Sequence, residues 1–172
     1  GAGSGGILCK INAYRLYTDF ATPSIRASMY VNGALRVATG PTLVTARWYH
    51  GTVWWDHSVN RTKLRVYDSS TKTSTDYQSS SVTPTVWDLE TDTNKLYVAN
   101  IEPTSSNSPF DGKIACAKAW KFPDAATMMS TTQIDLERWT WWPQNRPDLC
   151  TFCAPIEGKT IELNYGTMTD KT

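Results

Sequence analysis

KLYVANIEPTSSNSPFDGKIACAKAWKF, residues 95–122, reads as strand, long polar loop, Phe-Asp-Gly turn and strand. Leu96 and Val98 alternate with Lys95 and Tyr97, as a half-buried strand requires. Turn formers dominate from Asn100 to Asp111, and small and apolar residues return from Ile114 to Trp120. Two strands joined by a long rim loop are parts of a β-sheet protein that binds at its edge.

Working outward, the same grammar recurs. Trp48–Trp55, a turn over Asp56–Thr62 and Lys63–Tyr67 form a hairpin pattern. Alternation there sets Gly51, Val53 and Trp55 on one face and His50, Thr52 and Trp54 on the other. Ile25–Val37 reads as a second hairpin, because Asn32-Gly33 accepts the two positive φ angles of a type I′ turn. Ile7–Leu16 reads as a first strand, Thr85–Leu89 as a short one and Thr160–Tyr165 as a last one. Ser69–Thr85 holds 11 Ser or Thr among 17 residues and reads as a surface connection or an edge. Pro123–Ser130 is the helical candidate, with Pro and Asp suited to a first turn. About eight to ten short strands and one helix indicate an all-β chain, a sandwich or a barrel. Gly1–Gly6, GAGSGG, has no strand before it and reads as a linker rather than a dinucleotide-binding loop.

The chain has 172 residues, 17 Lys plus Arg against 16 Asp plus Glu, and a net charge of +1. One domain of this size buries about 70% of its extended-chain surface. The charge balance argues against a nucleic-acid partner, which needs a basic stripe. No run of 18 apolar residues offers membrane insertion, and no signal peptide is visible. The first residue is Gly, so sequence upstream is expected to have been removed or left out. Eight Trp and eight Tyr exceed what a sandwich interior holds, so some are expected at contact surfaces. The cysteines, Cys9, Cys116, Cys150 and Cys153, leave free thiols, disulfides or a metal site open. Cys150–Cys153 is a CxxC without the βαβ setting of a redox motif.

Trp48–Asp68 and Lys95–Lys121 together resemble the laminin-G-like branch of the concanavalin A-like lectin and glucanase superfamily. The first segment is similar to that family's Trp-x-His strand, Asp turn and returning Leu-x-Val-Tyr strand. The second is similar to its apolar strand, Asn-containing loop, Phe-Asp-Gly-Lys-Ile and closing Trp strand. The resemblance covers roughly residues 7–165 and leaves 166–172 as a tail. It implies an antiparallel two-sheet β-sandwich of jelly-roll type with one short helix near 123–130. The family opens with two strands before the Ile-Leu-Cys-Lys position, so either those strands have been cut away or the edge here is filled by another strand, Thr160–Tyr165 or one from a neighbouring chain. Arg138–Gly158 resembles the closing segment of laminin-G-like proteins of tailed phages. The resemblance implies a virion exterior or other extracellular setting, as capsid decoration or tail protein.

Asn107 and Asp111 match the family's rim Asn and Asp, used for calcium in some members. Ca²⁺ takes six to eight oxygens and no further ligand can be assigned, so no metal or cofactor is expected. Trp54, Asp56 and His57 offer an aromatic face with polar neighbours, on which a sugar ring stacks. The competing reading packs Trp55 in the core and Trp54 beneath a loop. Trp139, Trp141 and Trp142 are expected to pack against the sandwich or to contact a partner chain rather than to bind a ligand. His50 is expected to be packed, and Asn60-Arg61-Thr62 is a glycosylation sequon. Asp88, Glu90 and Asp92 alternate as the carboxylates of a sandwich glycosidase do, but a turn follows at once and a solvated loop is the simpler reading. The reading is thus a non-catalytic surface module, not an enzyme, that joins other chains of an assembly, surface glycans or both, and is oligomeric. A secreted lectin module is the alternative, and a glycoside hydrolase the third.

Overall fold

The computed structural model describes residues 4–10, 13–85, 96–98, 110, 113–140, 142–155, 160–164 and 167–171. The chain divides into two compact units, Gly1–Asp111 and Gly112–Thr172.

The first unit is an all-β antiparallel sandwich. Strands β1 (Ser4–Lys10), β2 (Tyr14–Asp19), β3 (Ser24–Val31) and β4 (Ala34–Thr42) meander through one sheet. Strands β5 (Tyr49–Asp56), β6 (Arg61–Asp68) and β7 (Thr73–Gln78) form the other, and β8 (Leu96–Val98) joins the first beside β1, giving the order β4-β3-β2-β1-β8. Leu16, Ile25, Ala27 and Ala38 of the larger sheet bury themselves against Leu64 and Val66 of the smaller one. A second cluster joins Met29 and Val31 to Trp55. Alternation in β3 and β6 therefore faces the core, as the sequence pattern requires. Leu64 is fully buried, a contribution of about 2 kcal/mol or more from removing its side chain from water.

Local chemistry explains the turns. Asn32 and Gly33 have φ of 55° and 70°, the type I′ geometry expected. The Asn32 amide also donates to Thr83 O at 2.9 Å and accepts from Thr85 N at 2.8 Å, fixing the segment after β7. Gly51 stands where the sheets approach closely: a Cβ there would lie 2.8 Å from Ile25 Cδ1. β7 is exposed and rich in Ser and Thr, the edge its composition suggests.

The second unit pairs β9 (Cys116–Trp120) with β10 (Cys150–Pro155) and β11 (Thr160–Asn164) with β12 (Thr167–Lys171), both antiparallel. Between β9 and β10 lie a 3₁₀ turn, Ala125–Thr127, the helix α1, Thr131–Glu137, and a second 3₁₀ turn, Pro147–Leu149.

Several expectations are corrected. The helix is not at 123–130. That stretch holds only the 3₁₀ turn, where Asp124 Oδ1 accepts from Thr127 N, and Ser130 with Gln133 starts the true helix by a capping box. The first strand region, Ile7–Leu16, contributes Ile7–Lys10 to β1 and Tyr14–Leu16 to β2. Ser4–Gly6 is strand rather than linker, with Gly5 packed where a Cβ would meet the Phe20 ring at 2.9 Å. The edge of β1 at Leu8–Lys10 is filled by the chain's own β8, not by Thr160–Tyr165, whose Thr160–Asn164 pairs with β12. Residues 167–171 are a strand rather than a tail. β8 and β9 belong to different sheets, so the strand after the long loop does not return to the strand before it.

Candidate contact surface

α1 is seven residues long and amphipathic. Ile134 is buried, while Leu136 is 56% exposed. The helix ends on Glu137, a carboxylate at the negative end of the helix dipole, where it is disfavoured unless something compensates. Lys118 of β9 supplies the compensation. Its Nζ donates to Glu137 Oε2 at 2.9 Å, to Glu137 O at 3.0 Å and to Thr140 Oγ1 at 2.8 Å, which uses all three ammonium protons. The other carboxylate oxygen, Oε1, accepts from Gln144 N at 2.8 Å, from Asn145 N and from Asn145 Nδ2 at 3.0 Å.

The Lys118 and Glu137 side chains are 7% and 4% exposed. Two charges taken out of water are tolerated only when their remaining hydrogen-bonding capacity is met, and here it is. Burial pushes the Glu137 pKa up, but the Asn145 and Gln144 N–H groups and the Lys118 ammonium outweigh it and hold the carboxyl below its ordinary range. The arrangement therefore gathers Thr140, Gln144 and Asn145 around the Lys118–Glu137 pair. Arg146 closes the far side, with Nη1 on Thr127 O at 2.9 Å and its guanidinium on Asp148.

On this fixed loop stand Trp139, 64% exposed, and Trp142, 62% exposed. Trp139 N donates to Leu136 O, and the Arg138 guanidinium sits 5.0 Å from the Trp139 ring centre while pairing with Asp135 at 2.8 Å. Gln144 Nε2 donates to Trp142 O at 3.3 Å. Leu136, Trp139 and Trp142 thus present apolar area on a backbone that is already ordered. Trp141 lies outside the described residues.

The other expected ligand residues do not converge with these. Trp54 is half-buried on the outer face of β5 opposite Lys63. Asp56 Oδ1 accepts from Ser58 Oγ at 2.6 Å and Ser58 N at 2.9 Å, so it shapes the β5–β6 turn. Those Ser58 hydrogen bonds hold its pKa low. His57 is exposed in that turn, and Trp55 is in the core. His50 is half-buried opposite Tyr67. Asn107, Asp111, Asp88, Glu90 and Asp92 lie outside the described residues. Among the described residues, no three His, Cys, Asp or Glu side chains are grouped to hold a metal ion. No helix there is long and apolar enough to cross a membrane.

Sequence reasoning found the tryptophans but missed the pair beneath them. The available signal was a lone lysine in the small-residue run Ala115–Trp120. No family model, curated protein or solved structure matches the chain.

Proposed function

We propose that this chain is a non-catalytic surface module that associates with a second copy of itself through Leu136, Trp139 and Trp142. The observation that carries the proposal is the pair of exposed tryptophans on a loop ordered by the buried Lys118–Glu137 pair. Rigid aromatic side chains contribute most of the energy of protein contacts, because little order remains to be imposed on binding. Each offers about 150–250 Å² of contact area. Asp135 and Arg138 beside them supply both signs of charge, and a self-complementary patch is what a two-fold contact uses. The net charge of +1 adds almost no repulsion between copies.

The jelly-roll kinship rests on the resemblance of Trp48–Asp68 and Lys95–Lys121, the virion-exterior setting on that of Arg138–Gly158, and both belong to the same proposal. Sedimentation over a range of concentrations tests it. Self-association that Trp139→Ala and Trp142→Ala abolish supports the reading. A monomer at every concentration that binds immobilised glycans would replace it with the lectin alternative.

A further inference from the structure

Three of the four cysteines share one face of the β9–β10 sheet. Residues i and i+3 of a regular strand point to opposite faces, so Cys150 and Cys153 should diverge. They do not, because the ladder shifts between Cys150 and Phe152: Cys150 pairs with Trp120, Phe152 with Ala119 and Cys153 with Lys118. The extra residue, Thr151, is a β-bulge that returns both sulfurs to the face of Lys118 and Trp120. Cys116, two residues before Lys118, lies on that face too.

Within the trio the sulfurs are not equivalent. The Cys150 thiol donates to Phe152 O at 3.1 Å and so turns back on its own strand. The Cys116 and Cys153 thiols hydrogen-bond with each other across the strands. A diagonal pair on an antiparallel sheet is about 7–8 Å apart, just past relaxed disulfide reach, so closing the bond takes a small shift of the strands, and the mutual hydrogen bond marks Cys116 and Cys153 as the pair to close. Cys9 is elsewhere, wholly buried in the first unit with its thiol on Leu16 O.

We propose that Cys116 and Cys153 are a redox pair that closes to a disulfide across β9 and β10, with Cys150 beside them as the third thiol. The oxidant is a small-molecule disulfide. The Cys116 thiolate attacks one sulfur of that disulfide, the S–S bond breaks, and one small thiolate leaves and takes up a proton. The Cys153 thiolate then attacks the Cys116 sulfur of the mixed disulfide and expels the second small thiolate. Two protein thiols lose two electrons and two protons, and one disulfide is reduced to two thiols.

Burial raises both thiols, Cys153 to about 11, so exchange at neutral pH is slow and the pair is not oxidised by chance contact. The bond would close a loop containing α1 and both exposed tryptophans. The leverage is large, because the buried apolar side chains described in the second unit are Ala117, Met129 and Ile134.

The test uses the full chain in mixtures of reduced and oxidised glutathione at a pH of about 9.5, incubated to equilibrium because burial leaves both thiols mostly protonated. Alkylation and peptide mapping follow. The expected product is one intramolecular Cys116–Cys153 bond, reversed by dithiothreitol, retained in Cys150→Ser and lost in Cys153→Ser. Proteolysis of the second unit should slow by about tenfold or more in the oxidised wild-type protein. A dominant Cys150–Cys153 bond, or no intramolecular bond where a control dithiol is oxidised, overturns the proposal. The mapping on wild-type protein decides the matter without any variant.

Discussion

Lys118 Nζ and Glu137 Oε2 stand 2.9 Å apart, from a strand and a helix end 19 residues distant, and both side chains are almost wholly buried. The pair connects β9, α1 and the loop that carries Trp142. It gives the exposed tryptophans a defined position.

Glu137→Ala should destabilise the second unit by about 3–5 kcal/mol, because Lys118 keeps its buried charge and loses the carboxylate. Denaturant unfolding followed by tryptophan fluorescence measures this. A loss below about 1 kcal/mol would mean the pair is no stronger than a surface ion pair.

Acid should loosen the same loop. The folded pKa of Glu137 lies below its unfolded value, so its contribution is present above the unfolded value of about 4.3 and is lost as pH falls through the folded one. The protection of the Gln144 and Asn145 amides against exchange, relative to their intrinsic rates, should fall as the pH drops through the folded pKa of Glu137 in wild-type protein. Glu137→Gln should remove that acid step while lowering stability at neutral pH.

Packing between the sheets gives an independent test of the sandwich. A Cβ at Gly51 would lie 2.8 Å from Ile25 Cδ1 and 3.2 Å from both Leu16 Cδ atoms. Gly51→Ala should cost about 1–3 kcal/mol. Ile25→Val deletes the nearest methyl, so the double variant should lose less than the sum of the two, as contacting sites do.

What was legible in the sequence was local. Asn32-Gly33 carries its turn in its own chemistry, and Val53 and Trp55 show their inward face by strict alternation. Gly5 and Gly6 carry no apolar alternation, so a strand there looked like a linker. Pro123 and Asp124 drew the helix too early, although Ser130 and Gln133 held the capping box. The face of Cys150 depends on a bulge that only strand pairing reveals. The meeting of Lys118 and Glu137 depends on β9 finding β10 across some 30 residues, which no local pattern encodes.

The tryptophans give the sharpest functional contrast. Trp139→Ala and Trp142→Ala remove exposed side chains, so each should change folding stability by about 0.5 kcal/mol or less. Each should weaken self-association by about 2 kcal/mol, roughly thirtyfold in the dissociation constant.

Sedimentation equilibrium of the wild-type chain beside the Trp139→Ala, Trp142→Ala double variant is the most direct measurement. The account predicts a concentration-dependent dimer for the wild type and a folded monomer for the variant. A wild-type chain that stays monomeric, or a variant that associates as well as the wild type, would contradict it.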